Sequence, residues 1–153
     1  MNYEQENYEA LCRALDGRNL KYKKEDDQYI ISISFSTNDF QVDILGRIIE
    51  RIESAYFRSE LPFIVKEDKR IEVAIAINAI NNMIVYGSFD YDFDNGKITY
   101  RLTAPYTQTV LSEAIYDKAI GLTVQTVDKY NDTLFALSSG FISLDNCLAK
   151  FKN

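Results

Sequence analysis

Residues 88–101, SFDYDFDNGKITYR, alternate apolar and polar side chains on both sides of an Asn-Gly pair. Alternation with a period of two places successive side chains on opposite faces of a β-strand. An Asn-Gly pair between two such segments is the strongest short-range signal for a hairpin, because both residues tolerate the positive φ of a type I′ turn. The segment therefore predicts a β-hairpin, and with it an antiparallel sheet.

The predicted register of this hairpin has Asn95 and Gly96 at its tip. Apolar residues then pair with apolar ones on one face, and charged pairs form on the other. The predicted pairs are Asp94 with Lys97, Phe93 with Ile98, Asp92 with Thr99, Tyr91 with Tyr100, Asp90 with Arg101 and Phe89 with Leu102. We therefore expect the aspartates to form a solvated face and Asp90 to be the partner of Arg101.

The same aspartates have the spacing of the first ligands of an EF-hand calcium loop. Such a loop also needs glycine at position 6 and a bidentate glutamate at position 12. Counted from Asp90, these positions hold Asn95 and Arg101. The metal motif therefore fails, and only weak surface binding of an ion is left as an alternative.

Four segments have the apolar spacing of amphipathic helices. They are residues 3–16, 67–84, a long segment from an N-cap at Ser112 to 138–140, and a short one capped by Ser143. In the second, Val73, Ile77, Ile80 and Ile84 form one seam, and Ile71 and Ile75 extend it sideways. Because that helix is apolar around most of its circumference, we expect it at the centre of the core.

Alternation also predicts strands over 29–36 and 40–44, after a short extended piece at 20–24. Segment 46–58 is ambiguous, because its apolar residues fit both a strand and a helix. We interpret it as a strand because turn-connected strands precede it and Gly46 and Pro62 bracket it. The sequence leaves open whether it is strand throughout.

Composition excludes several kinds of chemistry. The chain has no histidine, which removes the commonest general base and the histidine of a nucleophilic triad. Its six glycines match neither a dinucleotide-binding nor a phosphate-loop pattern. Nothing marks a buried pair among its 23 acidic residues, as carboxylate catalysis would need. The sequence therefore predicts a protein that is not an enzyme and holds no cofactor; an enzyme that uses carboxylate and tyrosine groups is the last-ranked alternative.

The charge pattern bears on partners and location. A net charge of −6 weighs against binding to nucleic acid or to an anionic membrane. The first residues lack a secretory signal, and the densest apolar run, 73–77, is too short to span a bilayer. Cys12 and Cys147 are typical of reduced, buried cysteines in the cytoplasm, although their separation in sequence does not by itself exclude a disulfide between them. We expect a single cytoplasmic domain over 1–153.

Two sets of residues are candidates for binding. Asn78 and Asn81, with Asn82, could present amides from the second helix to a ligand or partner, or could face solvent and satisfy backbone groups. Asp90, Asp92 and Arg101 could form part of a surface that receives another protein, or a wet sheet face.

Two segments, LPFIVKEDKRIEVAIAINAIN (61–81) and GSFDYDFDNGKITYRL (87–102), resemble the bacterial YbjN-type proteins, which carry the provisional label of sensory transduction regulators. DKYND at 128–132 is similar to the C-terminal helix of that family, so the resemblance covers about 61–137. It implies an α+β fold similar to type III secretion chaperones, in the order helix, strands, helix, hairpin, helix. The family supplies no catalytic residues.

The resemblance also implies a protein that acts through contacts with another protein, in a regulatory or chaperone-like role and as a homodimer in some members of that fold. Fold does not fix function, so this implication is an analogy. The alternative is a domain that responds to a small molecule or ion through the asparagines of the second helix or the acidic hairpin.

Overall fold

The computed structural model describes residues 1–152. Its helices and strands follow the predicted α+β order. They are α1 (Tyr3–Gly17), β1 (Lys23–Glu25), β2 (Ile30–Phe35), β3 (Val42–Ile49), β4 (Ser54–Glu60), α2 (Arg70–Met83), β5 (Ser88–Asp92), β6 (Lys97–Pro105), α3 (Glu113–Ser138) and α4 (Leu144–Lys150).

The six strands form one antiparallel sheet in the order β1-β2-β3-β4-β6-β5. Helices α1 and α3 pack on one face, while α2 packs on α3 and beside the edge strand β5, and α4 packs on α2 and α3. The alternation in β2 is confirmed, since Ile31 and Ile33 are buried beneath the helices and Ser32 and Ser34 are exposed. Sequence patterning therefore decided which sheet face the helices cover.

The caps of the last two helices agree with the sequence. The Ser112 hydroxyl accepts a hydrogen bond from the Ile115 amide at 3.2 Å, and Ser143 does the same for Asn146 at 3.1 Å. Both contacts satisfy amides that a helix start leaves without intrahelical partners. Cys12 and Cys147 are buried free thiols, as predicted.

The prediction of one strand over 46–58 is wrong. Strand β3 ends at Ile49, residues 50–52 form a 3₁₀ turn, and β4 returns from Ser54. Glu53 closes the turn with a φ of 46°, which the sequence does not signal. Gly46 does not break β3, because its missing side chain makes room for Ile31 and Phe57; a Cβ there would lie 3.1 Å from each.

The hairpin is present, but its predicted register is wrong by two residues. Asp92 pairs with Lys97 and Phe89 with Tyr100, so the loop spans residues 93–96. Its Gly96 has a φ of 72°, and a Cβ there would lie 2.7 Å from the carbonyl oxygen of Val65. Docking of the loop against the chain before α2 thus selects the wider turn. A shift of two keeps every side chain on its predicted face.

Helix α2 is less central than predicted. Val73, Ile77 and Ile80 are buried, but Ile71 and Ile75 on the opposite side are 69% and 45% exposed. The helix begins at Arg70, after a 3₁₀ turn at Glu67–Lys69. Because α2 lies at the edge of the sheet rather than between layers, only one side of it is covered.

Candidate protein-binding surface

The sheet face opposite α1 and α3 carries a groove of about 880 Å³. Its floor is formed by outward residues of β1 to β4, and its two sides by the chain before β1 and the chain after β4. The side chains that the register directs into it from the sheet are Lys23, Ser32, Ser34, Asp43, Leu45, Arg58 and Glu60. The groove is therefore a product of the open sheet face and its two flanking segments.

The wall after β4 contains Phe63 and the half-exposed Ile64. The Phe63 ring packs on Phe135 of α3 and on Phe40, with centroids 5.3 and 6.0 Å apart. Two such contacts from separate elements fix the ring, since tilted aromatic pairs are favourable beyond the area they bury. One side of the groove is thus a rigid apolar wall.

Acidic residues in the groove already have partners. Asp43 accepts hydrogen bonds from the Ser34 hydroxyl at 2.6 Å and the Gln41 amide at 2.7 Å, which lower the pKa of its carboxyl. Glu60 forms an ion pair with Lys97 at 3.7 Å. Within residues 1–152, in contrast, Arg58 forms no ion pair.

The acidic hairpin lies on the same open face, at the far edge of the sheet. The Arg101 guanidinium donates two hydrogen bonds to the Asp90 carboxylate, at 2.7 and 3.1 Å. This carboxylate raises the pKa of Arg101. Asp90 faces Thr99 directly, so the ion pair is diagonal and not the directly opposite pair that the sequence predicted.

The Asp92 carboxylate forms hydrogen bonds within the turn of the hairpin. It accepts hydrogen bonds from the side-chain amide of Asn95 at 2.8 Å and from the backbone amide of Asn95 at 3.2 Å. The side-chain bond is the main cause of the lowered pKa of Asp92. The structure therefore separates the three candidate residues into an ion pair, Asp90 with Arg101, and a turn-closing carboxylate.

Asn81 is engaged with the edge of the sheet. Its side chain accepts a hydrogen bond from the Phe89 amide at 2.8 Å and donates one to the Phe89 carbonyl at 3.0 Å. Phe89 lies on β5, whose outer side has no neighbouring strand in residues 1–152. Asn81 therefore takes the place of a paired strand and protects this edge from another chain.

Replacing Asn81 with leucine is expected to lower the free energy of unfolding by about 1–3 kcal/mol, because both backbone groups of Phe89 lose their partner. Urea unfolding followed by circular dichroism measures this. Asn146→Leu, at an exposed asparagine of α4, is the matched control and is expected to change stability by less than about 0.5 kcal/mol. Equal losses in the two variants would show that the Phe89 contacts contribute nothing.

The exposed side of α2 presents a continuous stripe of two isoleucines and two asparagines. These residues, Ile71, Ile75, Asn78 and Asn82, lie at helical spacing on one face and are all exposed. The two neighbouring isoleucines give this side of α2 apolar area that a contact with another protein would bury. We call this surface the α2 stripe.

Two findings concern metal binding and membrane-spanning helices. In the part of the chain that the structure describes, no group of three or more Cys, Asp or Glu side chains is arranged to hold a metal ion, the acidic hairpin included. Across residues 1–152, no helix has both the length and the apolar character to cross a membrane.

The sequence missed Arg58 and the groove. The signal is present in the alternation of Tyr56, Arg58 and Glu60. This alternation did not predict the groove, because β4, which carries these residues, was not separated from β3 in the sequence. The neighbour of β4 in the sheet, β6, is also distant in sequence.

No protein-family model and no curated protein matches this chain. Two solved structures share its fold. A chain of the crystal structure of the ExsC–ExsE complex matches with a TM-score of 0.66 and 14% identity, covering 88% of this chain and 97% of its own length. YbjN from E. coli, provisionally described as a transcription regulator, matches with a TM-score of 0.60 and 14% identity, covering 86% and 92%.

The fold is that of YbjN and the type III secretion chaperones. This confirms the fold implied by the sequence resemblance, over most of the chain and not only residues 61–137. At 14% identity the likeness concerns the fold alone.

Proposed function

We propose that this chain is a cytoplasmic, single-domain protein that acts by binding another protein, in a regulatory or chaperone-like role and without catalysis. The observation that carries the proposal is the sheet itself: helices cover one face, and the other remains open with a groove across it. The fold shared with a chain from the ExsC–ExsE complex supports it, since that structure contains two associated proteins.

The test is capture of a partner from native lysate by the tagged chain, followed by chemical cross-linking and mass spectrometry. The expected result is one abundant partner with cross-links to the open sheet face. A variant carrying Asp90→Asn, Asp92→Asn and Arg101→Gln, confirmed as folded by circular dichroism, tests the hairpin: a smaller captured amount would show that the hairpin takes part in binding, and an unchanged amount would confine binding to the groove. Absence of any partner under several growth conditions would contradict the proposal.

We also propose that two copies associate through the α2 stripe. Its isoleucines give each copy apolar area to bury, and its asparagines can donate and accept hydrogen bonds across a two-fold axis. Light scattering after size exclusion is expected to give twice the monomer mass of 17.6 kDa.

The Ile71→Asp, Ile75→Asp double variant is expected to elute as a monomer, because dimerisation would bury two unpaired charges from each copy. Ile52→Asp is the control, since Ile52 is also half-exposed but lies in the β3–β4 turn. A monomeric wild-type chain, or a dimer that survives the double substitution, would contradict this interface.

The alternative, a domain that responds to a small molecule or ion, is favoured only by the size of the groove, which lies within the range of ligand sites. It predicts that one metabolite or divalent ion raises the melting temperature in a concentration-dependent way.

A further inference from the structure

Arg58 lies in an electrostatically unfavourable position. In the register of β4 and β6 it is directly opposite Arg101, on the open face. Side chains in such positions have Cβ atoms about 5 Å apart, and like charges there destabilise the pair. Asp90 neutralises Arg101, whereas Arg58 forms no ion pair within residues 1–152. The free chain thus keeps an uncompensated guanidinium at the groove.

Two further cations line the groove near β1. Lys21 and Lys23 are exposed, and neither forms an ion pair in the described part of the chain. Of the two acids of the groove, Glu60 is paired with Lys97, whereas Asp43 is hydrogen-bonded by uncharged groups and stays ionised. The groove therefore carries three cations without an ion pair against the single unpaired carboxylate of Asp43, although the chain as a whole carries −6.

Apolar side chains lie between these charges. Leu45 is directly opposite Arg58 on β3, is half-buried, and has no helix above it. Phe63 and Ile64 form the wall beside it. An occupant must therefore bring negative charge for the cations and an apolar side chain for the space between Leu45 and this wall.

We propose that the groove binds an extended acidic segment of the partner protein, with a carboxylate on Arg58 and an apolar side chain against Leu45 and Phe63. This inference rests on the proposed function and names the chemistry of the partner. From β1 to β4 the floor spans three strand spacings, about 14 Å, which about four or five extended residues cover. Arg58 suits this role because a guanidinium can bind a carboxylate through two parallel hydrogen bonds.

The overall negative charge of the chain makes this recognition selective. An acidic segment is repelled by most of the surface and attracted to the groove, so its binding depends on local charge and weakens with salt. A basic or neutral segment gains nothing from the three cations. Charge complementarity therefore favours an acidic partner over other proteins.

The experiment uses a fluorescein-labelled decapeptide that alternates glutamate with leucine and tyrosine, and a matched peptide with glutamine for glutamate. Fluorescence polarisation is expected to show binding of the acidic peptide only, weakening as sodium chloride is raised. Arg58→Glu is expected to weaken it at least about tenfold, as is the Lys21→Glu, Lys23→Glu double variant. Arg51→Glu, in the exposed β3–β4 turn, is the matched control and is expected to leave affinity within about twofold.

Thermal unfolding of each variant checks its fold, and Arg58→Glu is expected to melt no lower than the wild type, because it removes the repulsion with Arg101. Equal binding of the glutamine peptide, or unchanged affinity in Arg58→Glu, would overturn the inference. The native-lysate capture separates this failure from that of the proposed function. A partner held equally by wild type and Arg58→Glu overturns the acidic groove but keeps the protein-binding role, whereas no partner for either counts against both.

Discussion

Replacing Asn7 with alanine is expected to lower the free energy of unfolding by about 3–5 kcal/mol. Asn7 lies on α1 and has an exposed fraction of 0%. Both the nitrogen and the oxygen of its side-chain amide are hydrogen-bonded. It donates to the carbonyls of Tyr3 and Thr109, at 2.8 and 2.9 Å. It accepts from the Leu111 amide at 2.9 Å and from the Tyr116 hydroxyl at 2.7 Å.

This large effect follows from what the substitution leaves behind. Alanine leaves the buried Tyr116 hydroxyl and the partly buried Thr109 carbonyl and Leu111 amide without this partner, and a buried group left unsatisfied costs about 1–3 kcal/mol. The loop between β6 and α3 has its backbone fixed to α1 by these contacts. Its hydrogen exchange should therefore accelerate at Leu111 before the whole molecule unfolds.

Urea unfolding and amide hydrogen exchange measure the two consequences of the Asn7 substitution. Asn146→Ala is the matched control, because Asn146 is an exposed asparagine on another helix, α4. We expect it to change stability by less than about 0.5 kcal/mol. A loss below about 1 kcal/mol for Asn7→Ala would show that water replaces the side chain at no cost.

Replacing Phe57 with alanine is expected to lower the free energy of unfolding by about 3–5 kcal/mol, through a cavity at the centre of the sheet. The Phe57 ring is 0% exposed and lies between the backbone of Gly46 and the ring of Tyr116, whose centroid is 6.4 Å away. Phe57→Leu, which keeps most of the volume, should cost less than Phe57→Ala.

The partner position on β3 gives a sharper test of this packing. A Cβ on Gly46 would crowd Phe57 at 3.1 Å, so Gly46→Ala alone should destabilise the wild type. In the Phe57→Ala background the methyl group added at position 46 enters the cavity. The double variant should therefore lose less free energy of unfolding than the two single variants lose in sum. A coupling of about 1 kcal/mol in a double-mutant cycle by urea unfolding is expected. Strictly additive losses would contradict direct contact between these positions.

The sequence did not predict the structural roles of Asn7 and Phe57. Asn7 is a polar residue in an amphipathic helix, and its pattern gives no reason to bury it. Its partners Thr109, Leu111 and Tyr116 lie more than a hundred residues away. Phe57 lies in a segment that fitted two periodicities, and the turn that resolves it depends on Glu53 adopting positive φ.

Sequence patterns predicted correctly those features that depend on interactions between residues close together in the chain. The β2 alternation, the Ser112 and Ser143 caps and the faces of the β5–β6 hairpin were all predicted, because each depends on neighbours within a few residues. The hairpin register was not predicted, since the contact of Gly96 with Val65 competes with the intrinsic preference of Asn-Gly for a two-residue turn.

The sequence by itself determined the α+β class, the order of the helices and strands and which side of β2 and of the β5–β6 hairpin is apolar. Those properties follow from spacing and from end signals that a short segment contains. Only the tertiary structure decided that α2 lies at an edge, that Asn81 pairs with β5, and that Arg58 faces Arg101 above an open groove. These depend on which distant strands become neighbours, and that choice minimises the free energy of the whole core, not of any one segment.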